Sequence, residues 1–572
     1  MPCPIGTYLD PMAANLSCPI DGRAIWPFGL FFDPDSWAEF LIYSLVIVVY
    51  SSLVGFSTLL RLYSRPLSRS FNWLRPKISH DSNEKLLNWA NYPIVKALDM
   101  VEKHNELVKP RGEGGNRLAW LDAFRVGAMT WVMGNHLGSE GRVDVLERDP
   151  KAQKYKDAIH AHPFVGPFFG NSALGVEIFL CLGSILSVRS FSRIDEAAIR
   201  ALFLYMCRRS LRLWLTTLSF VFLAFSPQLR LVIPRFFGTM CTACGWKGIL
   251  AHLSFLGNYQ HVPTCLGYLW YLGLDAQLHI AFIPLLVTGL LSASESRRKA
   301  SMWTIIGLVF LSIIWRAAHC LSHSTCHKSD VDIPFIHIAA LGGDEMEGMY
   351  AGLWNKYGRI PTKMGPFLLA IIVGVWEKRG VTITIGRSRA LFRSGLAGSI
   401  GVTYAISYQY WNPDMPSSHL FNVGYTATFR TLFAVSLLAM ISSFVLLERP
   451  PRLHWSIACA AKLCFSAYLV HMPAAYVFNY LNSFQKIDNA FSLLCFWPFH
   501  VGLSFFMAYL YYLTIEGPMS QVASLILEYA EAHVKEVADK VERAIISVWN
   551  ILCQVWKILR SLFILVILLF TL

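Results

Sequence analysis

Apolar runs of about 15–25 residues recur eleven times along this chain, near 38–60, 119–137, 170–190, 211–229, 266–290, 302–320, 366–379, 391–409, 427–447, 457–479 and 493–515. A helix needs about 20 mostly apolar residues to cross the hydrocarbon of a bilayer. Composition agrees. Of 572 residues, 54% are hydrophobic and only 15% are charged, where a soluble surface requires roughly 25%. Mean hydropathy is +0.43. Soluble multidomain, disordered and coiled-coil architectures are thereby excluded. The expected fold is all-α, a polytopic membrane bundle of about 10–11 transmembrane helices.

The formal net charge of +13 comes from 50 Lys and Arg against 37 Asp and Glu. These cations lie in short clusters beside the apolar runs, which points to cytoplasmic loops rather than to nucleic acid. Arg61, Arg65, Arg69, Arg75 and Lys77 follow the first run, so the N-terminus is expected outside and the C-terminus in the cytoplasm, in a secretory-pathway or plasma membrane. The expected order is a lumenal or extracellular segment 1–36, a first transmembrane helix 37–63, a cytoplasmic linker 64–116, a transmembrane domain 117–518, and a cytoplasmic amphipathic helix with an apolar tail 519–572. Asn15, in Asn15-Leu16-Ser17, is a glycosylation candidate. Cys3, Cys18, Cys241, Cys244, Cys265, Cys320 and Cys326 fall in loops expected outside, where they can oxidise. Cys241-Thr-Ala-Cys244 has no second pair at zinc spacing, so a disulfide or two thiols are expected and no metal site.

Ionisable side chains inside spans are costly and mark function by default. Within 119–137 stand Asp122, Arg125 and His136. Arg125 and His136 are eleven residues apart, close to three turns, so they share a face about 16 Å apart along the axis. A plainer reading has Asp122 and Arg125 neutralise each other at i,i+3. Further spans hold Glu177, Asp275, Gln277, His279, Arg316, Arg430 and His471. Just before 211–229, Arg208, Arg209 and Arg212 sit at spacings that let all three face one anion. Flanking positive charge is the plain alternative.

Together these segments resemble the acyltransferase 3 family of integral membrane acyltransferases, in its eukaryotic, nose-resistant-to-fluoxetine-like branch. Leu121-Asp122-Ala123-Phe124-Arg125 through His136 is similar to the family's Arg-x10-His span, and Gly175-Val176-Glu177-Ile178-Phe179-Leu180 to its second span. Arg209-x-x-Arg212 resembles its RxxR motif, and Leu269 to Gln277 its Trp-Tyr-Leu…Asp-x-Gln segment. Asn355 to Pro361, Phe429-Arg430-Thr431, Tyr468-Leu469-Val470-His471 and Glu516-Gly517-Pro518 follow in family order. The resemblance covers about residues 117–516. Leu182-Gly183-Ser184 and Leu278-His279 depart from the family pattern.

The resemblance implies transfer of an acyl group, acetyl being the expected one, from acyl-CoA as co-substrate to a hydroxyl of a small molecule, sugar or lipid. No bound cofactor is expected. His136 would be the general base, since imidazole titrates near neutral pH. Asp275 or Glu177 would orient it. Arg125, Arg208, Arg209 and Arg212 would hold donor phosphates or the developing oxyanion, while His471, Arg430, Trp270 and Gln277 would serve the acceptor side. An acyl-histidine intermediate is the mechanistic alternative. From another class comes a transporter or lipid- and xenobiotic-handling protein without catalysis, whose polar spans line a path. Inverted repeats, frequent in transporters, are not seen.

Overall fold

The computed structural model describes residues 37–528 except 65–90, 110–115, 139–161, 192–197, 234–235, 238–239, 242–243, 260–264, 323–357, 406–418 and 481–489. Asn15, Cys3, Cys18, Cys326, Asn355 and the tail beyond Glu528 therefore lie outside the described residues.

The long helices are α1 (Trp37–Ser64), α2 (Asn116–Gly138), α3 (Leu174–Phe191), α4 (Ala198–Ala224), α5 (Trp270–Leu291), α6 (Glu295–Ser322), α7 (Ile360–Lys378), α8 (Ile385–Tyr404), α9 (His419–Val445), α10 (Trp455–Tyr480) and α11 (Ala490–Tyr511). Among the described residues eight spans are long and apolar enough to cross a membrane; α2, α4 and α8, each with at least three charged residues, are not among them. The only β pairing among the described residues is an isolated bridge, Ile383 with Leu447. The chain is thus an all-α polytopic helix bundle, as lipid requires of a backbone that must satisfy its own hydrogen bonds.

Boundaries differ from expectation where charge sits inside a helix. The span expected to begin at 211 begins at Ala198, which places Arg208 and Arg209 within α4 rather than before it, together with Arg212. At the far end α11 passes through a π-helical turn, Tyr512–Glu516, and continues to Glu528, so the helix runs unbroken across residue 518. A π-turn inside a helix frequently accompanies a functional site.

Prolines inside the spans explain two cross-helix contacts. Pro366 in α7 cannot donate to the carbonyl of Thr362, and the buried Arg316 of α6 does so instead, Nη1 to O at 2.8 Å. Its Nε and Nη2 donate to Ala427 O at 2.9 Å and Thr431 Oγ1 at 2.7 Å, so one guanidinium ties α6 to α7 and α9. Pro473 likewise frees the Leu469 carbonyl of α10, which accepts from Tyr268 Oη at 3.0 Å.

The core is three apolar clusters. One joins α2, α4, α10 and α11 with the residues between α4 and α5; one joins α3, α5 and α7; one joins α2, α3, α7 and α9. In the first, Cys244 is disulfide-bonded to Cys265, and Cys241 remains a buried thiol. Beside this bridge, burial lowers the pKa of His252 to about 4, and its Nε2 donates to Cys265 O at 2.6 Å.

At the α2–α3 crossing, a Cβ on Gly175 would stand 2.6 Å from Val132 Cγ2 and 3.0 Å from Ala128 O. Close approach of this kind needs a small residue. Gly175→Val is expected to cost about 1–3 kcal/mol of stability through overpacking. Thermal unfolding in detergent checks this, and an unchanged midpoint would show that the two helices part freely.

Candidate active site

His136 stands in the last turn of α2 and is half-buried, as is Arg125 three turns earlier. Asp122, one turn before Arg125, is buried. The ring against His136 belongs to His471 of α10, with centroids 4.9 Å apart and planes at 59°. His500 of α11 is fully buried and within electrostatic range of both imidazoles. Three helices thus bring one imidazole each to the same region.

A tyrosine layer leads away from these rings. Tyr268 lies edge-on to His471 at 5.5 Å, Tyr468 lies 6.1 Å from Tyr268, and Tyr271 lies 6.0 Å from Tyr468. The Tyr468 hydroxyl donates to Tyr268 O at 2.6 Å. The Tyr271 hydroxyl reaches Asp275 Oδ1 at 3.5 Å, and Tyr271 is within electrostatic range of Arg125 and Arg209. Arg209 Nη2 donates to Asp275 Oδ2, and the Nδ1 of His279 lies 3.4 Å from Oδ1. The polar groups therefore form a connected band from the imidazoles through the tyrosines to the Arg209–Asp275 ion pair.

The carboxylates expected to orient His136 have other partners. The Asp275 carboxylate is engaged by Arg209, while His279 Nδ1 donates to the Asp275 backbone carbonyl at 2.6 Å. Glu177, fully buried on α3, accepts on Oε1 from Lys363 Nζ of α7 and from Arg430 Nη1 of α9, the latter at 2.7 Å. Low dielectric makes each such pair hold its partners tightly. Lys363 is a residue that the sequence reasoning missed, as is His500. His500 is a lone charged or imidazole side chain in the apolar run 493–515, a signal that could have found it; Lys363 precedes the run 366–379 and follows Lys356 and Arg359, so it read as flanking charge.

The three arginines separate as well. Helical geometry turns successive residues by about 100°. Arg209 points inward to Asp275, whereas Arg208 and Arg212 are exposed. Arg212 lines a polar cavity of about 210 Å³ with Lys103, Glu106, Tyr512, Glu516 and Gln521 beside the π-turn. Glu516 accepts there from Ser466 Oγ.

Of the acceptor-side candidates, His471 meets His136 and Arg430 meets Glu177. Trp270 is buried with its ring under Lys363 Nζ at 5.9 Å. Gln277 is a clamp on the segment before α5: its Nε2 donates to Phe255 O at 2.7 Å and Asn258 Oδ1 at 2.8 Å, and its Oε1 accepts from Asn258 at 3.1 Å.

Residues 118–513, most of the chain and every one of these spans beyond α1, match the acyltransferase domain that defines acyltransferase 3 proteins. The chain belongs to the acyltransferase 3 family. Its acyltransferase 3 domain contains Arg125, His136, Glu177, Arg209, Asp275, Arg430 and His471, and with its apolar helices makes it a multi-pass membrane protein carrying an acyltransferase domain. A Caenorhabditis elegans protein, described as a regulator of hypoxia-inducible factor 1, is 38% identical over 481 residues, or 81% of this chain and 95% of that one. No solved structure matches this chain.

Proposed function

We propose that the chain transfers an acyl group, acetyl in the simplest case, from acyl-CoA to an acceptor hydroxyl, with His136 as the general base. The observation that supports this is a half-buried imidazole at one end of a polar band whose other end is the Arg209–Asp275 pair, inside an acyltransferase domain. His136 takes the hydroxyl proton as the oxygen attacks the thioester carbonyl. The new C–O bond forms, the C–S bond breaks, and the proton passes to the departing thiolate. Arg125, half-buried on the same helix but about three turns from His136, is too far along the axis to share its reacting carbonyl and instead serves the donor near the Tyr271 end of the band.

Arg209 acts indirectly, holding Asp275 and through it the Tyr271 edge of the site. The donor's phosphates fall to the exposed Arg208 and Arg212, where guanidinium forks meet water. Arg212→Ala is expected to raise the KM for acetyl-CoA about 10-fold with kcat within a few-fold, the loss of one charge-assisted contact. An unchanged KM would remove Arg212 from the donor site.

The deciding experiment incubates purified full-length protein with radiolabelled acetyl-CoA and a panel of hydroxyl acceptors. Thioester cleavage or product labelling that depends on His136 supports the proposal. A transporter that moves its cargo without chemistry leaves the thioester intact.

A further inference from the structure

We infer that His471 is a positioning residue for His136: it presents a neutral imidazole nitrogen that accepts a hydrogen bond from the ring N–H of His136, a bond that strengthens when His136 is protonated. The inference rests on the base role proposed for His136 and deepens it.

The local geometry assigns the tautomer of His471. Its Nδ1 lies 2.7 Å from the carbonyl oxygen of Tyr468, one turn earlier on α10. A carbonyl only accepts, so Nδ1 carries the proton and Nε2 carries the lone pair. His471 is fully buried, and this Nε2 has no hydrogen-bond partner among the described residues. A buried acceptor without a donor costs about 1–3 kcal/mol, and such a group calls for an explanation.

The surroundings fix the ring in place. Tyr268 packs edge-on at 5.5 Å and Tyr468 lies roughly parallel at 6.1 Å. Tyr268 is itself pinned through its hydroxyl to Leu469 O, the carbonyl that Pro473 leaves open. The titratable groups facing His471 are His136 from α2, His500 from α11 and Tyr268 from the turn before α5, with Tyr468 on its own helix. None of these is a carboxylate. Asp275 and Glu177, the buried acids that an acyl-transfer triad would use, are engaged by Arg209 and by Lys363 with Arg430.

The role follows from proton accounting. Neutral His136 has one N–H and one lone pair. When its lone pair takes the acceptor's proton, both ring nitrogens carry hydrogens. One hydrogen goes on to the leaving thiolate; the other, carried throughout, makes its strongest hydrogen bond while the ring is charged. His471 Nε2, on the ring in contact at 4.9 Å, accepts that bond without carrying a charge of its own. Catalytic hydrogen bonds of this kind often close only in the substrate complex.

The test uses the full chain in detergent, with acetyl-CoA and water as acceptor, and reads thioester cleavage across pH. Wild type is compared with His136→Ala, His471→Leu and His471→Gln, the last restoring a neutral acceptor. His471→Leu is expected to lower kcat about 100-fold with the KM for acetyl-CoA within about twofold. It should also move the acidic limb of the pH profile to lower pH, because the protonated base loses its acceptor. His471→Gln should recover at least 10-fold of kcat and return the limb towards wild type.

If the leucine variant fails to accumulate, His471→Met fills the same space and takes its place. A limb that stays put in the apolar variant, or a Gln variant no better than it, overturns the positioning role while leaving His136 as base. Cleavage retained in His136→Ala, or absent from wild type, overturns the underlying reading instead.

Discussion

His136→Ala is expected to lower acyl transfer by at least about 100-fold, towards 10,000-fold, the range that a positioned general base contributes. The protein should still fold and enter the membrane. His136 stands two residues from the end of α2 and is only half-buried, so truncating it leaves no large cavity in a packed core. The measurement is radiolabelled acetyl transfer by variant and wild type at equal amounts of monodisperse protein. Activity within threefold of wild type would end the base assignment. Loss of activity with a collapsed elution profile would report folding instead, and Gly175→Val serves as the control for damage at the neighbouring α2–α3 crossing.

The largest stability effect is expected at Glu177. Its carboxylate is 0% exposed and meets Lys363, also 0% exposed, and Arg430. Arg316, buried and in electrostatic range of Glu177 and Arg430, adds a third cation. Glu177→Gln keeps the shape and removes the only negative charge among these four. Breaking a buried pair by removing one partner costs about 3–5 kcal/mol, since the remaining charge is left uncompensated. Adding Lys363→Met removes one stranded cation and should recover more than half of that loss. Unfolding midpoints in detergent for the two variants decide it. A double variant no more stable than Glu177→Gln would show that the lysine is not the source of the penalty.

Much of the architecture was readable from hydropathy alone, because lipid enforces the signal. A span must be apolar and helical or it does not insert. The places where reading failed are those where a charge sits inside a helix and is neutralised by a partner distant in sequence. α4 was expected to start at 211, after Arg208 and Arg209, because charge marks a loop; it starts at Ala198, and Arg209 within it pairs with Asp275, 66 residues later. Lys363 escaped notice for the same reason, its partner Glu177 lying 186 residues earlier. The spacing of Cys241 and Cys244 left a disulfide or two thiols open; Cys244 bonds Cys265 and Cys241 stays a thiol. Spacing along the chain does not report which sulfur is nearest in space.

The amino-acid order by itself settled that this is a membrane bundle, that its spans contain titratable groups in the family's order, and that Arg125 and His136 share one helix face. Those are consequences of local rules: hydrocarbon excludes unpaired backbone, and a helix turns 100° per residue. Which polar groups meet was decided only by packing. Folding gave Glu177 to Lys363 and Arg430, Asp275 to Arg209, and set His471 beside His136. In a low-dielectric interior every buried charge must find a partner, and the partner is whichever group the helix crossings bring within reach.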